Sequence, residues 1–181
     1  MVNIKFAKVR PSAIIPSKRD EDMGYDIYAC FEEDYIVINP HETKLIPTGI
    51  ASACDPGYGF LLFERGSTGS KGIARRCGVI DSGYRNEWFV GLTNTTNNKI
   101  FISKLNNTEL ARTLCINHEN PIHWMIAENE VSNSIIYPYS KAIVQAIVTP
   151  VLETNEQELS YEDLKNIPSD RGLGALGSSG K

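Results

Sequence analysis

Apolar residues along this chain fall in short runs, broken by glycine, proline, asparagine or aspartate. Such runs, bounded by turn residues, favour strands over helices. The pattern predicts strands over Ile4–Val9, Tyr35–Ile38, Lys44–Ala51, Gly59–Phe63, Trp88–Asn94, Ile100–Ser103 and Ile143–Leu152. Turn signals lie between them at Asn39-Pro40, Asp55-Pro56-Gly57, Asp81-Ser82-Gly83 and Asn97-Asn98. Many short strands at near-regular spacing imply an all-β sandwich or barrel. Two stretches read as helices: Asn107–Cys115, and Tyr161–Asn166 with Ser160 as cap and Asp163 three residues later.

Two segments depart from this pattern. Thr95–Ser140 is polar, irregular and long for a connection between strong strands. Arg171–Lys181 is a Gly/Ser tail carrying Gly172, Gly174, Gly177 and Gly180, a composition that is not rigid by itself. The expected organisation is therefore one β domain over residues 1–170, with an insertion over 95–140 and a flexible tail over 171–181.

Composition narrows the function classes. The chain of 181 residues is long enough for one domain with a real core. Its net charge of -4 gives no broad field for a polyanion, so nucleic acid is not an expected partner. There is no run of 18 apolar residues, which argues against a membrane span, and Met1–Lys8 lacks an apolar signal core and reads as an edge strand. The cysteines Cys30, Cys54, Cys77 and Cys115 stand 24, 23 and 38 residues apart, and His41, His118 and His123 are remote from them. That spacing does not match a zinc site, so no protein metal ligands are assigned. The cysteines read as small buried hydrophobes in a reducing cytoplasm.

Five segments carry candidate chemistry, and each also has an ordinary structural reading. Phe63–Gly72 follows a strand and mixes Arg65, Ser67, Thr68, Ser70 and Lys71 with Gly66 and Gly69. It reads either as a polar strand-to-helix turn or as an anion cradle, where a short helix aims N–H groups at its ligand. Gly78–Trp88 places Asp81 at a loop tip near Tyr84, which suits either an Asx turn or a carboxylate that deprotonates a water. Asp26 and Gln145 interrupt apolar strand sequences, Met23–Ile27 and Ile143–Val148. Each reads either as an outward-facing polar residue or as a ligand contact. The tail has Arg171, Ser178 and Ser179 among glycines and could wrap a phosphate or stay disordered, but it lacks the spacing of a P-loop.

The order of these segments is more specific than any one of them. Gly24-Tyr-Asp-Ile27, Arg65-Gly-Ser67, Gly78-Val-Ile-Asp-Ser-Gly-Tyr-Arg85, Gln145 and Arg171-Gly…Gly-Ser-Ser-Gly180 resemble, in sequence, the five motifs of the trimeric dUTPases. The resemblance spans nearly the whole chain except Thr95–Ser140. It implies a β jelly roll forming a homotrimer, with each active site built from three chains, and hydrolysis of dUTP to dUMP and pyrophosphate. It implies that Asp81 holds the attacking water, while the adjacent backbone, from Gly78 to Ile80, reads the uracil edge. Tyr84 is expected to pack under the deoxyribose, and Asp26 to support the sugar region. Arg65, Gly66, Ser67 and Gln145 are expected along the phosphate chain, and Arg171, Gly177, Ser178 and Ser179 over the γ-phosphate. Mg²⁺ is expected to arrive with the triphosphate, held mainly by phosphate oxygens and water.

This sequence departs from the family pattern at three positions. Gly66 takes a place usually held by Ser, Met23 replaces a small residue, and Leu176 stands where a Phe usually covers the uracil. Two other functions suit the same outline. A dCTP deaminase shares the fold, but its deaminating Glu would fall on Gly91, ten residues after Asp81. Some phage-type dUTPases carry an insertion in this region and bind regulatory proteins; here 64 residues separate Asp81 from Gln145. The ordinary reading of that insertion is a surface elaboration, because loop length by itself costs little.

Overall fold

A computed structural model describes residues 1–170 and 172–174. The chain divides into two compact units, Met1–Val151 and Leu152–Lys181.

The first unit is built of short strands. In chain order they are β1 (Ile4–Lys8), β2 (Tyr25–Ile27), β3 (Tyr35–Ile38), β4 (Thr43–Pro47), β5 (Ile50–Cys54) and β6 (Tyr58–Phe63), then β7 (Ile73–Arg76), β8 (Val79–Asp81), β9 (Phe89–Asn94), β10 (Ile100–Ser103), β11 (Ile135–Pro138) and β12 (Val144–Pro150). Helices α1 (Gly66–Gly69), α2 (Asn107–Leu114) and α3 (Pro121–Ser132) interrupt them, and α4 (Tyr161–Lys165) lies in the second unit. The strands form four small sheets, ordered β1-β5, β11-β10-β3, β2-β12-β6-β8 and β4-β9-β7. The expected all-β class holds for this unit.

Sheet faces meet over a core that includes Ile27, Ile38, Ile46, Phe60, Leu62, Trp88, Val90, Ile100 and Val144. Trp88 is fully buried and packs edge-on against Phe60 at 5.0 Å and Phe6 at 6.0 Å. Burying a side chain of this size dominates the local energetics, and tilted aromatic pairs add about 0.5–1.5 kcal/mol each.

The Lys44–Ala51 run, read as one strand, is two. Thr48-Gly49 breaks it, with Gly49 at φ +67°, where a Cβ would lie 2.8 Å from both Ala13 Cβ and Cys30 Sγ. β4 then pairs with β9 and β5 with β1, so one apolar run serves two sheets. A positive φ at a site without room for a side chain is a place only Gly fills.

Residues 95–140 are more ordered than their composition suggests. β10 and α2 lie where the sequence places them; α3 and β11 have no counterpart in that reading. β10 pairs antiparallel with β3 and parallel with β11. Ile100, Ile102 and Tyr137 belong to the main core, so these strands are integral to the domain. Only the α2–α3 hairpin between them is an excursion, with its own small cluster of Phe101, Leu110, Ala111 and Val131. Asn106 caps α2, accepting from Glu109 N at 3.0 Å while Glu109 Oε2 accepts from Asn106 N at 3.0 Å. Pro121 opens α3 behind Asn120, whose side chain accepts from Ile122 N at 2.9 Å.

The cysteine reading needs one correction. Cys30 and Cys115 are buried, but Cys54 is half-buried and Cys77 is exposed, with φ +55°. In the second unit, Ser160 caps α4 as expected, accepting from Asp163 N at 3.1 Å. Among the described residues, no helix is long and apolar enough to cross a membrane.

Candidate active site

Among the described residues, the expected site residues fall at the two ends of the β2-β12-β6-β8 sheet. At one end, β2 pairs with β12 so that Asp26 lies opposite Gln145. Asp26 also binds Arg65, with Oδ1 at 3.0 Å from Nε and Oδ2 at 3.2 Å from Nη2. Arg65 follows β6 and stands as the residue before α1, where Thr68 Oγ1 accepts from its backbone N–H at 3.0 Å. Gln145 donates from Nε2 to the Glu64 carbonyl at 3.0 Å. Gly24 lets Gln145 approach: a Cβ there would sit 3.1 Å from both Cβ and Oε1 of Gln145.

A polar cavity of about 520 Å³ opens over this cluster, lined by Lys18, Arg19, Gly24, Asp26, Arg65 and Gln145, among others. Its rim is braced by Arg19 and Asp22, whose side chains pair at 2.9 Å. Arg19, first through the hydrogen bond from its guanidinium and then through that from its backbone N–H, holds the Asp22 carboxyl down at about 2. Met23, a departure from the family pattern, lines the same cavity.

Ser67 behaves differently from the expectation placed on it. The Tyr137 hydroxyl donates to the Ala142 carbonyl at 2.6 Å, which uses its only proton. Ser67 Oγ, 3.2 Å from Tyr137 Oη, must then be the donor in that contact. In this arrangement the Ser67 proton points at β11 rather than at a ligand. Gly66 beside it has open space, since a Cβ there would meet nothing within 4 Å.

At the other end of the sheet, β8 pairs with β6 so that Asp81 lies opposite Gly59 and Ile80 opposite Phe60. Ile80 is buried, while Asp81 is exposed at the strand's end. An apolar cavity of about 200 Å³ adjoins it, lined by Tyr58, Phe60, Val79, Ile80, Asp81 and Val151, among others. Tyr84 N donates to the Asp81 carbonyl at 3.1 Å and closes the turn. The Tyr84 hydroxyl donates to the Glu87 carbonyl at 3.1 Å. Gly78 has no room for a side chain, because a Cβ would run into the Arg75 guanidinium; its carbonyl accepts from Leu62 N at 2.8 Å.

These two groups do not meet within one chain. Phe63, the partner of Gln145 on β6, lies four residues along the strand from Gly59, the partner of Asp81, and β8 and β12 flank β6 on opposite sides. At ~3.4 Å per residue and ~4.8 Å between strands, Asp81 and Gln145 stand roughly 15–20 Å apart. The tail residues Arg171, Leu176, Gly177, Ser178 and Ser179 lie outside the described residues.

A family model described as dUTPase matches residues 10–135, more than two thirds of the chain. The chain belongs to the dUTPase family. The deoxyuridine 5'-triphosphate nucleotidohydrolase of Nautilia profundicola is 28% identical over 188 residues, spanning 99% of this chain and 100% of its own length. That of Neisseria meningitidis serogroup C is 36% identical over 98 residues, spanning 51% of this chain and 65% of its own length. Among solved structures, the Staphylococcus bacteriophage 80alpha dUTPase with dUPNHPP superposes with a TM-score of 0.68 at 20% identity, covering 99% of both chains. The native dUTPase of EIAV gives 0.55 at 20% identity over 89% of this chain and 98% of its own. These likenesses give the fold, the jelly-roll type of the dUTPases.

Sequence reasoning missed several residues that support this candidate site. Tyr137 directs Ser67, and Glu64 both accepts from Gln145 and braces the neighbouring strand. Burial pushes the Glu64 carboxyl up, but hydrogen bonds from backbone N–H groups, including Arg75 N at 2.8 Å, and the charges of Arg75 and Arg76 outweigh it and leave it below the usual carboxylate range. Glu64 sits directly before Arg65, and a charged residue ending an apolar strand was the one signal for it. Nothing local marks Tyr137.

Proposed function

We propose how this chain carries out its family's reaction, the hydrolysis of dUTP to dUMP and pyrophosphate. The phosphates lie in the polar cavity between Arg65 and Gln145. Asp26 releases Arg65 to them in part and supports the sugar. The uracil edge meets the backbone between Gly78 and Ile80, in a space too tight for a thymine methyl; overpacking a rigid pocket costs about 1–3 kcal/mol. Tyr84 lies under the deoxyribose. Asp81 takes a proton from water as the water oxygen bonds to the α-phosphorus. The bond from that phosphorus to the bridging oxygen breaks, and pyrophosphate leaves with the electron pair.

Mg²⁺ arriving with the triphosphate would supply neutralisation of the charge that develops on the phosphates. Among the described residues, no three His, Cys, Asp or Glu side chains cluster closely enough to hold a metal ion. Phosphate oxygens and water would hold the ion, and Arg65 would share the neutralisation. By the resemblance, Arg171, Gly177, Ser178 and Ser179 would contact the γ-phosphate and Leu176 the base; all five lie outside the described residues.

The observation that carries this reading is the separation of Asp81 from Arg65 and Gln145. A base and a phosphate clamp roughly 15–20 Å apart cannot act on one triphosphate, yet each is well built. A homotrimer resolves this, with the Asp81 end of one chain meeting the Arg65 end of another, in the cytoplasm. The test is Asp81→Asn. It should leave assembly and dUTP binding intact and lower turnover by ~10²–10⁴-fold, the usual contribution of a positioned base. Near-normal turnover would remove Asp81 from this role. Deamination of dCTP has no support, since Gly91 has no side chain and a Cβ there would lie 3.0 Å from the Arg76 carbonyl.

A second role rests on the α2–α3 hairpin. Ile122, Met125 and Ile126 form an exposed apolar stripe on α3, with Ile116 exposed just before it. Exposed apolar patches mark interaction sites, and the solved phage 80alpha dUTPases are described as controlling transfer of virulence genes by a proto-oncogenic G protein-like mechanism. The hairpin is thus the surface on which a regulatory protein would dock.

A further inference from the structure

The loop from Asp81 to Trp88 is anchored at one end with unusual thoroughness. Glu87 Oε1 accepts from Arg10 Nε at 3.0 Å and from Gly49 N at 2.8 Å, and Oε2 accepts from Arg10 Nη2 at 3.2 Å. The Glu87 side chain is only 12% exposed, so three N–H donors converge on a carboxylate largely out of water. Bidentate Arg–carboxylate pairs of this kind hold geometry as well as charge. The donors are themselves fixed. Gly49 occupies its positive-φ corner, and its carbonyl accepts from Val9 N at 2.7 Å. The next residue is pinned too: Trp88 N donates to the Ile50 carbonyl at 2.8 Å, and Thr48 Oγ1 donates to the Trp88 carbonyl at 2.7 Å.

The Glu87 carbonyl between these anchors is therefore a fixed point, and it is the acceptor for the Tyr84 hydroxyl. Tyr84 is otherwise exposed, at 38%. Its ring hangs between the turn at Asp81 and this carbonyl. We propose that Glu87 is a positioning residue for sugar selection: by clamping Arg10 and Gly49, it sets the height of the Tyr84 ring and so the room left at the 2′ carbon. This rests on the reading that Tyr84 lies under the deoxyribose. A ring free to drop by a few tenths of an ångström admits a hydroxyl that a fixed ring rejects, because rejection here comes from close packing.

The test compares dUTP with UTP. Glu87→Gln keeps the shape but turns an amide N–H₂ toward Arg10. It should lower the dUTP/UTP ratio of kcat/KM by roughly tenfold, with UTP gaining or holding while dUTP falls, and leave the pH profile of kcat in place. Tyr84→Phe, which cuts the tether, should lower the same ratio, and the double variant should lose little more, as expected for residues acting through one contact. If Glu87→Gln is poorly folded, Arg10→Lys keeps the charge without the planar fork and should give a smaller shift in the same direction. A variant whose Tm and kcat fall while the dUTP/UTP ratio stays fixed would show Glu87 to be merely structural. Wild-type protein that fails to hydrolyse dUTP would instead overturn the underlying assignment of the site.

Discussion

At the scale of single residues, the site shows how a small departure is accommodated. Gly66 lacks the hydroxyl its family usually carries there, and Ser67 beside it spends its proton on Tyr137. The proposed phosphate clamp therefore has no hydroxyl at position 66 and none free at position 67. Since the space at Gly66 is open, Gly66→Ser should fold normally and lower the KM for dUTP by several-fold, with kcat little changed. A charge-assisted hydrogen bond of ~1.5 kcal/mol would correspond to about tenfold at most. Steady-state kinetics decides; an unchanged KM would mean that position 66 does not face the phosphates. Glu64 carries a pH dependence. Its carboxyl lies below the usual range in the folded protein. Its stabilising effect is therefore full above the unfolded value near 4.5 and is lost as pH falls through the folded one. Thermal melts from pH 6 down to pH 3 should show wild type and Glu64→Gln converging toward the acid end, whereas a constant gap would exclude this carboxylate as the cause.

At the scale of elements, the stretch over residues 95–140 divides into parts with different duties. β10 and β11 bury Ile100, Ile102 and Tyr137 in the main core, and Tyr137 reaches Ser67. Removing the whole stretch would expose that core. The α2–α3 hairpin is separable, but β10 and β11 are parallel, so any replacement must run back along the strand. Four residues of strand span about 13 Å, which an extended linker of about eight residues covers. Replacing Leu105–Ser134 with such a Gly/Ser linker, and Phe101 with Thr to remove the exposed ring, should keep dUTP turnover within about tenfold, or ~1.4 kcal/mol of barrier. Loss of assembly by light scattering would show the hairpin to be structural, and loss of turnover in an intact assembly would tie it to the site.

At the scale of the whole molecule, the divided site predicts complementation. Asp81→Asn and Arg65→Ala chains should each be nearly inactive alone. Refolded together, they should regain measurable dUTP hydrolysis, because some sites then join a native Asp81 end to a native Arg65 end. A mixture as inactive as its parts would place base and clamp on the same chain. Much of this was legible in the sequence. The turn residues, the strands at Tyr35–Ile38 and Ile100–Ser103, the cap at Ser160, and the order of the candidate residues are local properties, and short-range sterics and hydrogen bonding dictate them. Gly49 shows where local reading stops: Lys44–Ala51 reads as one strand, but the chain turns at Gly49, where the close approach of Ala13 and Cys30 leaves no room for a side chain. The same holds for Asp26 with Arg65 and for Arg10 with Glu87, which lie 39 and 77 residues apart. The sequence by itself determined the chemistry of this protein, since side-chain types and turn geometry are written residue by residue. The tertiary structure alone decided which groups share an end of a sheet, where the Ser67 proton points and which glutamate steadies the tyrosine. Which distant strands lie side by side is set by packing of the whole core, and no local pattern encodes it.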